Sequence, residues 1–231
     1  MRVLGIIGGI APESTVDYYR SLITRFRALD GTGAYPRIVI NSIDLTAMLV
    51  LVAEKRLDEL AAFLAGEIGK LQAAGAQFAL LASNTPHVVF DRLRAISPLP
   101  LISIVECARE VALVRGWKRL GLFGTRFTMD GGFYAAAFAA AGMHIVLPRP
   151  DEREFIHDRY MSELVNGDFR DETRMRLIAI IGRLRDDEQV DAVILGGTEL
   201  PLLLRQPEVG GVALLDTTRA HVEAAVAGML A

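Results

Sequence analysis

One pattern constrains this chain more than any other. An apolar run ends in a small residue and a hydroxyl side chain just ahead of a helical stretch, and it occurs twice, as Leu80-Leu81-Ala82-Ser83-Asn84-Thr85 and as Ile194-Leu195-Gly196-Gly197-Thr198-Glu199. A buried strand that stops where a helix starts gathers backbone N–H groups and a hydroxyl in one place, the arrangement that holds an anion. Two copies suggest two half-sites facing one substrate.

The rest of the chain agrees. Apolar runs at 3–7, 37–41, 78–82, 99–104, 120–123, 144–147, 192–195 and 212–215 alternate with helical patterns at 13–29, 57–74, 85–94, 105–115, 132–141, 152–165 and 171–184. Strands that alternate with helices, and that are apolar on both faces, predict an α/β fold of mainly parallel sheets flanked by helices. The order is duplicated too, because Leu4-Gly5-Ile6-Ile7-Gly8-Gly9 and Leu120-Gly121-Leu122-Phe123-Gly124-Thr125 open corresponding halves. The expected organisation is a first domain of residues 1–97 plus 210–231 and a second of residues 98–209. The two are expected to be similar, related by a pseudo-twofold, with a cleft between them; 204–211 reads as the return linker.

Composition narrows the function. The chain has 231 residues, 52% of them apolar, and a formal net charge of −3 with acids and bases mixed. No basic block suggests nucleic acid or a membrane surface. The single Cys107 excludes an internal disulfide, no run is long enough to span a membrane, and the first strand is a poor signal peptide. A soluble cytoplasmic protein is the expectation. His144, His157 and His221 show no metal-ligand spacing, so no metal is expected. Cys107, among alanines on a helix, reads as packing.

The residues that can carry chemistry lie at strand ends. In Gly8-Gly9-Ile10-Ala11-Pro12-Glu13-Ser14-Thr15, a glycine turn opens a helix. It lacks the dinucleotide and P-loop spacings, but it offers an amide such as that of Gly9 to an anion, with Ser14 or Thr15 as cap. Asn84 and Thr85 can cap a helix or grip a carboxylate, and His87, four residues past Ser83, can lean back toward the site or simply be a half-buried helix residue. Thr125 reads as a cap or as a further hydroxyl for the same anion. Glu199 is either a solvated first-turn acid or, in a dry site, a general acid/base.

At these residues the chain resembles the aspartate/glutamate racemase family, which works without pyridoxal phosphate or any other cofactor. Within it the chain is most similar to the broad-specificity subgroup. The resemblance rests on Gly8-Gly9 with Pro12-Glu13-Ser14-Thr15, on Asn84-Thr85 with His87, on Gly124-Thr125-Arg126-Phe127-Thr128-Met129, on Gly196 with Thr198-Glu199, and on Asp216-Thr217-Thr218 with His221. It implies amino-acid racemisation in an interdomain cleft, a small carboxylate such as aspartate or glutamate as substrate, and a homodimer. Gly9, Asn84, Thr85, His87, Thr125 and Thr198 would bind that substrate. Racemases of this family place one thiol on each face of the substrate Cα; those positions fall here on Ser83 and Gly197. The resemblance also points to Met48 and Leu164 where some aspartate-specific members carry basic residues for the distal carboxylate.

Serine is a poor base and glycine is none. Three readings follow. One is a racemase that uses Ser83 on one face and Glu199, or a water in the space vacated at Gly197, on the other. The second is a non-racemising lyase, decarboxylase or isomerase of the same fold, including one with Ser83 as a nucleophile assisted by His87. The third is a carboxylate-binding protein without catalysis. An introduced substitution at Ser83 or Gly197 is a further possibility.

Overall fold

Strands that are apolar on both faces need cover on both sides, and the computed structural model, which describes residues 1–231, provides it. The chain divides into two compact units, one of Met1–Ile104 with Thr218–Ala231 and one of Val105–Thr217.

In the first unit the order is β1 (Leu4–Gly8), α1 (Pro12–Asp30), β2 (Ile38–Ser42), α2 (Leu45–Ala53), α3 (Leu57–Ala73), β3 (Phe78–Leu81), a 3₁₀ turn (Thr85–Val89), α4 (Phe90–Ile96) and β4 (Leu101–Ile102). The sheet runs β2-β1-β3-β4 and is parallel throughout. Leu4 pairs with Phe78 and Ile6 with Leu80, which puts these side chains on one face. That face is covered by Tyr18, Leu22 and Phe26, spaced every four residues along α1, and by Val222, Ala225, Val226 and Met229 of the last helix. The other face meets α3: a Cβ on Gly5 of β1 would lie 3.0 Å from Leu71.

The second unit follows with α5 (Ile104–Arg115), β5 (Arg119–Gly124), α6 (Arg126–Asp130), α7 (Phe133–Ala139), β6 (His144–Val146) and α8 (Pro150–Ser162). After a 3₁₀ turn (Leu164–Asn166) come α9 (Asp171–Glu188), β7 (Ala192–Gly196), α10 (Leu200–Leu203), β8 (Glu208–Val209) and β9 (Val212–Asp216), and α11 (Thr217–Leu230) returns to the first unit. The sheet runs β6-β5-β7-β9-β8, parallel except for the edge strand β8. Without β8 its order repeats that of the first sheet, with β5, β6, β7 and β9 in the places of β1, β2, β3 and β4.

Both expected boundaries move. β4 lies beyond residue 97 yet pairs with β3, and β9 lies beyond residue 209 yet pairs with β7. The strand closing each sheet stays with its own sheet, because the backbone hydrogen bonds of the ladder outweigh the turn residues that marked the cut in the sequence. β8 falls inside the expected linker. α2 was not expected: Leu45-Thr46-Ala47-Met48-Leu49-Val50-Leu51-Val52-Ala53 is apolar almost all round and has no helical period to read. Its start is legible in hindsight, since the Asp44 carboxylate accepts from the amides of Thr46 and Ala47 at 2.8 and 3.3 Å.

Candidate functional site

In an open parallel sheet, ligands bind beyond the strand C-termini where the strand order reverses. In the first unit the chain leaves β1 for β2 on one side and returns to β3 on the other, so that point lies between the ends of β1 and β3. It collects Gly8, Gly9, Ser83, Asn84 and Thr85. In the second unit it lies between β5 and β7 and collects Thr125, Gly197, Thr198 and Glu199.

In the first unit the glycine turn and His87 spend their polar groups on local hydrogen bonds. A Cβ on Gly8 would lie 2.5 Å from Thr15 Cγ2, and Gly9 has φ +82 with a Cβ position 2.6 Å from the Ile43 carbonyl, so this turn requires glycine at both positions. The Gly9 amide, expected to receive an anion, instead donates to Thr15 Oγ1 at 2.8 Å. The Ser14 hydroxyl satisfies no amide. It lies 2.9 Å from the Ala11 carbonyl and 3.2 Å from the Ala82 carbonyl, joining the turn to the end of β3. Ser83, Asn84 and Thr85 are all buried, and Asn84 makes no side-chain capping bond to the 3₁₀ turn that follows.

His87 does lean back toward Ser83, but not toward its hydroxyl. Its Nε2 accepts from the Ile104 amide at 3.2 Å, so Nδ1 carries the proton and donates to the Ser83 carbonyl at 3.0 Å. The ring is buried and stacks on Phe90. Both nitrogens are committed to backbone, which rules out assistance to a Ser83 nucleophile. His221 has the opposite tautomer: Nε2–H donates to the Ile102 carbonyl at 3.0 Å, and Nδ1 accepts from the Tyr18 hydroxyl at 2.9 Å. Burial, with His221 adding to it, pushes His87 down to about 3, and burial pushes His221 down to about 4. Both rings are neutral structural hubs near neutral pH.

The second unit is arranged differently. Thr125 caps α6, its Oγ1 accepting from the Thr128 amide at 3.3 Å, as the simpler sequence reading has it. Gly124 and Gly196 are register partners, so Thr125 and Gly197 leave adjacent strand ends. The space beside Gly197 is not vacated. The Tyr160 ring of α8 covers it, and a Cβ at 197 would lie 2.9 Å from both Tyr160 Cζ and Oη, with another ring carbon nearer still. A water in that space is therefore excluded. The Tyr160 hydroxyl donates to Glu199 Oε2, which also accepts from Thr198 Oγ1 at 3.0 Å. Glu199 is 1% exposed, so it is not a solvated first-turn acid. Burial first, then the Glu199 charge and hydrogen bond, raise the Tyr160 phenol well above its ordinary value and keep it protonated. No sequence signal singled out Tyr160; an aromatic in a helix 37 residues before Gly197 reads as packing.

Elsewhere, Met48 and Leu164 are buried and apolar, and burial together with Glu106 and Glu110 pushes the Cys107 thiol up to about 12. No three His, Cys, Asp or Glu side chains are placed to hold a metal ion, and no helix is long and apolar enough to cross a membrane.

Two α/β units of the same strand order, each with polar residues at its switch point, define a duplicated racemase-type fold. The chain belongs to the Asp/Glu/Hydantoin racemase family, whose signature matches residues 7–225. It is similar over 100% of both chains to a Yersinia pestis crystal structure described as a candidate Asp/Glu racemase, with 31% identity and a TM-score of 0.89. It is similar to the same extent to PH1733, an aspartate racemase homologue from Pyrococcus horikoshii, with 31% identity and a TM-score of 0.85. Among characterised sequences it is 30% identical over 188 residues to the glutamate racemase of Desulforudis audaxviator, a match that covers 77% of this chain and 65% of that enzyme.

Proposed function

We propose that this chain binds a small carboxylic amino acid, of the aspartate or glutamate type, and does not invert it by the two-thiol route. The family and its named relatives support the substrate class; Ser83, Asn84, Thr85, Thr125 and Thr198 are the residues assigned to hold the carboxylate. The observation that carries the reading is the Tyr160 ring packed over Gly197 and hydrogen-bonded to Glu199. Racemisation needs a proton removed on one face and returned on the other, each by a group within about 3 Å of Cα. Serine stands at one thiol position. At the other there is neither a side chain nor room for water. The chain's one cysteine, Cys107, lies on α5 with its thiol held protonated, so it does not replace either thiol.

The test pairs binding with stereochemistry. Titration calorimetry with D- and L-aspartate and D- and L-glutamate should detect binding of at least one. Chiral chromatography after long incubation should find each acid still in its original hand. Inversion would refute the reading, as would failure to bind all four.

A further inference from the structure

Tyr160, Glu199 and Thr198 form a closed group of polar side chains, each more than nine-tenths buried, at the switch point of the second sheet. Apolar packing alone would not need a phenol here, since phenylalanine would cover Gly197 equally well and would leave no hydroxyl to satisfy. The hydroxyl instead lies 2.9 Å from the point where a Cβ on residue 197 would sit, in the region that a side chain at 197 would reach. It is also in direct contact with a carboxylate that can take its proton.

We propose that Tyr160 replaces the missing side chain at position 197 as the proton carrier of this half-site, with Glu199 as the base behind it. The proposal rests on the carboxylate-binding reading above and deepens it: the chain exchanges an α-proton on one face without inverting the centre. The Cα–H bond breaks and its proton goes to Tyr160 Oη, while the phenol's own proton crosses the existing hydrogen bond to Glu199 Oε2. The electron pair left on Cα delocalises into the substrate carboxylate. The proton on Glu199 exchanges with solvent when the buried group opens transiently, and the same steps in reverse then return a solvent proton to the same face. Thr198 Oγ1, which donates to Glu199 Oε2, is a positioning residue.

The experiment follows deuterium wash-in at Cα by proton NMR, with the intact protein in heavy water and each enantiomer of aspartate and glutamate. The expected result is exchange of one enantiomer with retention. Tyr160→Phe, which keeps the ring over Gly197, should slow wash-in by roughly 100-fold with ligand binding unchanged, and Glu199→Gln should do the same. Fluorotyrosine at position 160 keeps the fold, acidifies the phenol and should move the pH profile of exchange to lower pH, which a purely structural ring would not do. Exchange by Tyr160→Phe at the unmodified rate, or an unmoved profile, would overturn the proposal. Binding without exchange of any of the four acids would overturn it and leave the carboxylate-binding reading standing. Inversion, or no binding at all, would overturn both.

Discussion

At residue scale the decisive fact is a volume. Glycine at position 197 is a sequence letter; that its missing side chain is replaced by Tyr160 is a property of packing, which links residues 37 apart and leaves no local trace. The same limit explains His87. Its spacing of four from Ser83 puts it next to that residue, but the spacing cannot say that the partner is the carbonyl rather than the hydroxyl, nor that the Ile104 amide takes the other nitrogen. The spacing of Thr15 from Gly9 likewise did not reveal that its hydroxyl consumes the amide expected to hold an anion. Thr125, by contrast, was legible as a cap because capping is local. The packing makes a direct prediction. Gly197→Ala should cost about 1–3 kcal/mol in urea denaturation, as overpacking does. With Tyr160→Ala already present the cost should nearly vanish, and a double-mutant cycle should return the difference as coupling. Equal costs in both backgrounds would mean that the ring does not own that space.

At the scale of elements, strands and amphipathic helices were the most readable part. The eight expected runs became strands with ends shifted by a few residues, because apolar runs between glycine and polar breaks carry their own boundaries. What escaped was an element without a period, α2, and an edge strand of two residues, β8. The turn from β1 into α1 depends on glycine in two ways: Gly8 gives room to Thr15, and Gly9 has a positive φ beside the Ile43 carbonyl. Gly9→Ala should therefore destabilise the protein by about 2–5 kcal/mol, the combined effect of left-handed backbone and crowding. Gly31→Ala, at a positive φ in open space just after α1, should cost less, because only the backbone part remains. Urea melts of the two variants, side by side, separate crowding from conformation.

At the scale of the whole molecule, the duplication was legible from the two strand-end runs, and the repeated order β2-β1-β3-β4 and β6-β5-β7-β9 is its structural counterpart. The division between units was not legible to the residue, since Pro98 and Gly210 mark turns rather than the last hydrogen-bonded strand of a sheet. Global stability should follow the two buried histidines. Unfolded, each takes up a proton near pH 6.5; folded, His87 does so only at about 3 and His221 at about 4. Between these values the unfolded chain binds more protons, so acid favours it. Unfolding free energy should be insensitive to these rings above pH 7 and should fall as pH drops from 6.5 toward 4, by on the order of 1 kcal/mol per pH unit for each ring. Urea midpoints across that range check it, and a His221→Gln variant should show a shallower slope.

The Tyr160 ring fills the space that any side chain at position 197 would enter, and the proposed function depends on that occupancy. The most direct measurement is aspartate inversion, read by circular dichroism, in two variants built to restore the sulfurs. With Ser83→Cys, Gly197→Cys and Tyr160→Phe, the ring should still keep the second thiol out while the phenol that could carry a proton is gone, so no inversion should appear; Tyr160→Ala in place of Tyr160→Phe should start it. Inversion by the variant that keeps the phenylalanine ring would contradict that occupancy.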